Sequence, residues 1–169
     1  MDTTKIDPAK ISQQGLVVGA SDAPITVTEF INLRCPYSKE WFEKATPILE
    51  PAIAAGRVKR VFKLFDKQKD KLKNGNFVQH FLPYDQPEQA YAAVRFLFAQ
   101  QDIWGDFSEA ELTTYMAEKL KLTRQPNHTM INMVLNEAKA ANVQFVPTII
   151  IGEQIFDEHI TPTELAKLI

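Results

Sequence analysis

The 169-residue sequence has a single cysteine, few glycines and no long hydrophobic run. One cysteine cannot form a disulfide within the chain, so no internal disulfide holds the fold together. No apolar stretch approaches the ~20 residues that a membrane-spanning helix needs. The net charge of −2 gives no positive excess for nucleic acid or an anionic membrane surface. We therefore expect neither nucleic-acid nor membrane partners.

The N-terminal segment also lacks the features of a targeting signal. Residues 1–14 are polar and contain no apolar core of roughly 7–15 residues, which a signal peptide requires. This composition predicts a loosely held arm. Together with the scarcity of cysteine, it favours a cytoplasmic location for the chain as written.

The rest of the sequence has the patterns of an α/β protein. Hydrophobic residues make up 45% of the full sequence, which is typical of a domain with a buried core. Strands are predicted over residues 25–31 and 58–65, where β-branched and apolar residues dominate. A helix is predicted from Pro36, with a kink or a break where Pro47 and Pro51 remove backbone N–H groups.

The middle third of the sequence is predicted to be helical. One helix begins at Pro87 and ends before Gly105, and a second begins at the capping box of Ser108 and Glu111. The pattern then returns to short strands and a final helix. The remaining predicted elements are a helix ending near residue 142, strands over 145–151 and 154–156, and a helix that begins at a second capping box, formed by Thr161 and Glu164.

Cys35 is the first candidate for chemistry, because it directly precedes Pro36 at the predicted start of a helix. The positive end of the helix dipole favours an anion there, and the thiolate is the nucleophilic form of cysteine. The alternative is an ordinary buried cysteine without a function. Ser38 completes a Cys-x-x-Ser spacing, which is a Cys-x-x-Cys redox motif with oxygen in the second position.

Two other groups of residues are predicted to have no catalytic role. The three histidines share no metal-ligand spacing, so we expect no metal site. They are His80, His128 and His159. The basic segment over residues 67–73 is interrupted by Asp70 and predicts a solvated loop, with a phosphate or partner site as the less favoured alternative.

Three short motifs, in this order, resemble the DsbA-like branch of the thioredoxin superfamily. They are Asp22-Ala23-Pro24, then Glu29-Phe30 with Cys35-Pro36-Tyr37, then Val146-Pro147-Thr148. The resemblance covers nearly all of residues 16–169. It implies an α/β, thioredoxin-like fold with an inserted all-helical block. The thioredoxin-like domain would take residues 15–84 and 143–169, and the inserted helical subdomain residues 85–142.

The resemblance also implies roles for individual residues. Cys35 matches the attacking cysteine, and Glu29 matches a buried acid that exchanges protons behind it. An exposed strand carboxylate is the alternative for Glu29. Ser38 replaces the second cysteine and cannot form an internal disulfide, but its hydroxyl can donate a hydrogen bond to the Cys35 thiolate. A polar first-turn residue without a role, or an engineered replacement of a second cysteine, are the other interpretations of Ser38.

Pro147 matches the family's cis-proline beside the active sulfur. The resemblance implies that the Val146 backbone is left open to hydrogen-bond an extended substrate. With Pro36 and Tyr37, these two residues form the predicted substrate-binding surface.

We therefore expect a thiol–disulfide oxidoreductase that uses one cysteine and acts as a reductase or isomerase. Its partners would be protein or peptide disulfides or low-molecular-weight thiols, with no cofactor beyond a thiol such as glutathione as co-substrate. Two alternatives remain: a redox-inactive peptide-binding module, and a glutathione-transferase-like protein. Cysteine at the first motif position argues against the latter, since those enzymes usually have serine there.

Overall fold

The computed structural model describes residues 3–169, so the first two residues of the predicted arm lie outside the described residues. A five-stranded sheet with the order β1-β3-β2-β4-β5 forms the centre of the protein. The strands are β1 (Leu16–Val18), β2 (Ile25–Ile31), β3 (Val58–Leu64), β4 (Thr148–Ile151) and β5 (Gln154–Phe156). The predicted α/β class is confirmed.

Seven α-helices surround the sheet within the described residues. They are α1 (Pro36–Ala54), α2 (Lys73–Gln79), α3 (Pro87–Ala99), α4 (Gln101–Trp104), α5 (Glu109–Leu120), α6 (His128–Ala140) and α7 (Pro162–Ala166), with 3-10 helices at Pro8–Lys10 and Asp70–Leu72. Both predicted capping boxes are formed, by Ser108 with Glu111 and by Thr161 with Glu164. Among residues 3–169, no helix is both long enough and apolar enough to cross a membrane.

The two faces of the sheet bury different cores because side chains alternate along a strand. Val27 and Ile31 of β2 join a large core with α1, α3 and α5, whereas Phe30 joins a smaller core with α6. β2 and β3 run parallel through the crossover helix α1, and β4 pairs with β2 antiparallel. The inserted helices therefore bury their apolar faces against the sheet as well as against each other.

Helix α1 is one continuous element of 19 residues, so the break predicted at Pro47 and Pro51 is not there. Each proline removes a backbone hydrogen bond. Leu49 and Ala52 are nevertheless fully buried in the large core on either side of Pro51. The packing of this face of α1 in the large core therefore outweighs the cost of the backbone hydrogen bonds that the two prolines remove. Trp41 and Phe42 of the same helix also belong to the large core.

The N-terminal segment is attached more firmly than predicted. Its Asp7 N–H donates to the Ala141 carbonyl at 3.0 Å, and Ser12 bonds to Glu137 of α6. Ile6 and Ile11 pack against the smaller core. These contacts hold the described part of the predicted arm, residues 3–14, against α6 and the smaller core.

Candidate active site

Cys35 occupies the N-cap of α1, with extended backbone angles (φ −72°, ψ 121°), and Pro36 is the first helical residue. Its Sγ donates a hydrogen bond to the Val146 carbonyl at 3.3 Å. The residue is only 4% exposed, yet it lines an open groove. The sulfur thus lies at the positive end of a long helix, where a developing negative charge is stabilised.

The loop that precedes Cys35 is held by hydrogen bonds to three other segments of the chain. Asn32 donates to the Phe65 carbonyl at 3.1 Å and accepts from the Arg34 N–H at 2.9 Å. The Leu33 N–H donates to Gln79 at 3.0 Å. Gln101 donates to the carbonyls of Leu33 and Cys35 at 2.7 and 3.3 Å. These hydrogen bonds fix the loop on several sides, so the position of Cys35 is well determined.

Helix α2 packs directly beneath this loop, and the sequence analysis had assigned no helix there. Gly75 makes the approach possible, because a Cβ atom at that position would lie 2.0 Å from Asn32 Oδ1 and 2.7 Å from the Arg34 nitrogen. The Cys35 loop is therefore built against a glycine that no larger residue can replace without movement.

Ser38 is fully buried, and its hydroxyl accepts a hydrogen bond from the Asn32 N–H at 3.3 Å. Among the side-chain hydrogen bonds of residues 3–169, none joins Ser38 to Cys35, and donation from this hydroxyl to a Cys35 thiolate stays a prediction. The hydroxyl is engaged with the end of β2 instead. Ser38 supports the loop that carries Cys35.

Glu29 is buried, as the resemblance implied, but it is paired. Its two carboxylate oxygens accept from Arg60 at 2.6 and 2.7 Å, and one also accepts from the Trp41 indole N–H at 2.6 Å. Burial alone would lower the pKa of Arg60, but the Glu29 carboxylate offsets it and the pKa is raised. These contacts join β2, β3 and α1. The proton-exchanging role of Glu29 stays a prediction.

The Val146–Pro147 peptide bond is cis. Both residues precede β4, which begins at Thr148, and the Val146 carbonyl faces the sulfur of Cys35. Pro36, Tyr37 and Val146 line the groove together with Cys35, and the groove encloses about 670 Å³. Four of the residues predicted for the site are therefore brought together, and Pro147 follows directly.

The groove has a basic wall that the sequence analysis did not assign to the site. Lys67, Lys69 and Lys71 line it beside Cys35. Burial lowers the pKa of Lys67, and the charge of Lys69 lowers it further. Lys69 and Lys71 are exposed, as expected for a solvated loop, but that prediction did not include the position of these lysines in the groove with Cys35. The alternative of a phosphate or partner site stays a prediction.

The histidines lie apart from this groove. His80 bonds to Asp66 at 2.7 Å, and His159 bonds to Asp157 at 2.8 Å. The bond to Asp157 raises the pKa of His159. Asp157, Glu158 and His159 bring ligand atoms within 4.8 Å of one another, but His159 is exposed and already paired. The expectation of no metal site stays a prediction.

A cysteine at the N-cap of the first long helix, facing a cis-proline before an antiparallel strand, defines a thioredoxin-fold protein. The model of the family described as "Thioredoxin" matches residues 12–169, and the chain belongs to this family. This confirms the relation that the three motifs indicated.

Solved structures agree with this assignment. A conserved protein of unknown function from Enterococcus faecalis V583 is 46% identical, with a TM-score of 0.96, covering 99% of this chain and 97% of that one. The catalytic domain of Proteus mirabilis ScsC is 17% identical, with a TM-score of 0.71 and coverage of 94% and 90%. Oxidised BdbD from Bacillus subtilis is 16% identical, with a TM-score of 0.61 and coverage of 97% and 90%. No curated protein matches the chain.

Proposed function

We propose that the protein is a thiol–disulfide oxidoreductase that works with Cys35 as its single nucleophile. The observation that carries the proposal is the placement of the Cys35 sulfur at a helix N-cap, on an open groove, 3.3 Å from the Val146 carbonyl. A helix N-terminus favours thiolate, and thiolate is the form that attacks disulfides.

The reaction at Cys35 has two balanced steps. Cys35 first loses its proton to solvent, and the thiolate then attacks one sulfur of a substrate disulfide. A new S–S bond forms to Cys35, the old S–S bond breaks, and the other substrate sulfur leaves as a thiolate. A second thiolate then attacks the mixed disulfide and releases Cys35. Where it is an outside thiol such as glutathione, it attacks the substrate sulfur, Cys35 leaves as a thiolate, and the substrate sulfur is left in a mixed disulfide with that thiol. A second molecule of the same thiol then displaces the substrate as a free thiol and is oxidised with the first to their disulfide, which completes the reduction. Where the second thiolate belongs to the substrate, it forms a new disulfide within the substrate, and the original disulfide is rearranged.

The neighbouring residues suit this single-thiol chemistry. Ser38 cannot act as a resolving thiol, and its hydroxyl supports the loop at Asn32. The backbone of Val146, before the first paired residue of β4, offers an extended substrate a place beside the sulfur. Protein or peptide disulfides are therefore the proposed substrates, and a cytoplasmic location is part of the same proposal.

One observation favours a second candidate function. Cys35 is 4% exposed and its sulfur already contacts the Val146 carbonyl, which suits a structural cysteine beneath a peptide-binding groove. In that case the groove binds peptides without disulfide exchange.

The experiment compares one thiol in two states of the same chain. The native protein is mixed at pH 7 with a peptide whose cysteine carries a 2-mercaptoethanol disulfide, and mixed-disulfide formation is followed by mass spectrometry. The chain in denaturant is the control for the thiol without its site. An ordinary cysteine is only a few per cent thiolate at this pH. We therefore expect the native protein to react about tenfold faster than the denatured chain.

Added small thiol should then regenerate the native protein, and Cys35→Ala should give no adduct. A native rate below the denatured rate contradicts the oxidoreductase and leaves the peptide-binding module.

A further inference from the structure

One wall of the groove that holds Cys35 is positively charged. Lys67, Lys69 and Lys71 come from the segment between β3 and α2, and all three line the groove that holds Cys35. The chain as a whole carries a net charge of −2. This local charge is therefore opposite in sign to that of the whole protein.

No described acidic side chain forms an ion pair with these lysines. Among the described residues, none of the three has a carboxylate within 4.0 Å. Asp106 is the one acidic residue among those that line the groove, and it pairs with Arg34 at 3.1 Å. Lys67 donates to the Gln144 carbonyl at 2.6 Å, which holds its charge in place without cancelling it.

Repulsion between Lys67 and Lys69 also favours the binding of an anion to the groove. The neighbouring charge of Lys69 lowers the pKa of Lys67 beyond what burial does. An anion bound between them would relieve this repulsion and the cost of burying an unpaired ammonium group. The lysines that line the groove thus form a positive surface on which a bound carboxylate would be stabilised.

Two exposed aromatic side chains line the groove and favour a peptide over a small anion as its ligand. Tyr37 is 57% exposed and Phe145 is 49% exposed, and both line it. Exposed aromatic residues at the edge of a groove are typical of surfaces that bind polypeptides. An extended peptide can contact these rings and the lysines while its disulfide reaches Cys35.

We propose that the groove selects peptide disulfides in which carboxylates flank the reacting cysteine. This inference rests on the proposed function, whose two-step exchange it leaves unchanged. Lys69 and Lys71, which are exposed, would pair with the flanking carboxylates. Lys67 would supply positive charge close to the sulfur.

The test uses three peptides that differ only in the two residues flanking the cysteine. Both flanking residues are Asp in the first peptide, Asn in the second and Lys in the third. Each carries a 2-mercaptoethanol disulfide. Rates with the protein are divided by rates with free 2-mercaptoethanol, which removes the intrinsic effect of the flanking charges. An exposed ion pair contributes up to about fivefold. Two pairs therefore predict an Asp-to-Lys rate ratio of about tenfold at low salt, which falls toward one at high salt.

Charge reversal gives the matched comparison. Lys69→Glu with Lys71→Glu should invert the preference, so that the Lys peptide reacts faster. Lys119→Glu with Lys139→Glu changes the net charge equally on exposed helix positions outside the groove and should keep the preference. An inverted ratio in the first variant alone supports the proposal.

Three outcomes overturn it. An Asp-to-Lys ratio near one, while all three peptides react, removes the selectivity and leaves the oxidoreductase intact. Equal inversion in the control variant assigns the effect to net charge. If the small diacid disulfide 3,3′-dithiodipropionate reacts as fast as the Asp peptide, the groove selects small anionic disulfides and not peptides. No reaction with any disulfide, including the neutral peptide, would instead refute the proposed function itself.

Discussion

Two groups of charged side chains lie close together in the sequence and have opposite surroundings. Arg60, inside β3, is fully buried and is matched by the two oxygens of Glu29. Lys67 and its neighbours follow the same strand, line a groove and have no carboxylate partner among residues 3–169. The first group is complete within the protein and joins its elements. The second group has no carboxylate partner among the described residues, and in our proposal a substrate carboxylate takes that place.

Breaking the buried pair should have the largest effect on stability. Arg60→Met leaves the Glu29 carboxylate buried without its partner, and this situation costs about 3–5 kcal/mol. The free energy of unfolding in urea measures it. Removing both charges, with Glu29→Leu and Arg60→Met, should cost less than the single change, because no unpaired charge remains.

The exposed pair of Arg95 and Glu50 provides the control for this experiment. Arg95→Met should cost at most about 1 kcal/mol, since exposed ion pairs contribute little. If Arg60→Met were as mild as Arg95→Met, the buried network would not hold the elements together as described.

The loop that carries Cys35 can be disturbed without changing any charge. Gly75→Ala places a Cβ within 2.0 Å of Asn32 Oδ1 and forces α2 or the loop to move. Such overpacking costs about 1–3 kcal/mol. We also expect the rate of mixed-disulfide formation at Cys35 to change, because the loop sets the position of the sulfur.

Gly56→Ala is the comparison for this prediction. Gly56 has open space around its missing Cβ but a positive φ of 72°, so its replacement strains the backbone far from the groove. Stability should fall while the rate at Cys35 stays the same. Equal rates in both variants would mean that the close approach at Gly75 does not position the thiol.

A surface pair should show the smallest effect. The hydrogen bond to Asp157 raises the pKa of His159. The contribution to stability is therefore full below the ordinary histidine pKa of ~6.5 and is lost as the pH rises through the raised value. NMR titration of the His159 ring should give a midpoint above ~6.5, and Asp157→Asn should lower it. An unchanged midpoint in the variant would exclude Asp157 as the cause.

Local signals in the sequence predicted most of the fold. The capping boxes at Ser108 and Thr161 located two helices, and alternating apolar residues located β2 and β3. Helix α2 was missed because its sequence, KNGNFVQ, contains weak helix formers. Its side chains are held by partners from elsewhere, such as Asn74, which donates to the carbonyls of Gly105 and Phe107. No local pattern contains that information.

The site was predicted unevenly for the same reason. Cys35 and Val146 belong to recognisable motifs, and the structure brings them together. The partner of Glu29 was not predictable from the sequence, because Arg60 reaches it from the neighbouring strand β3. The groove lysines looked like any solvated basic segment, since their position beside Cys35 is a property of the folded chain.

The distance along the sequence between Cys35 and its partners also determines how long its thiol lacks them during synthesis. Gln101 lies 66 residues further along the chain and Val146 lies 111 residues further. At a synthesis rate of ~5–20 residues per second, roughly 6–22 s pass between the addition of Cys35 and that of Val146. Throughout that interval the nascent thiol has neither its backbone partner nor its groove. During this interval Cys35 should react as an ordinary cysteine. Its sulfur contacts the Val146 carbonyl and lines the groove only after that part of the chain has been made.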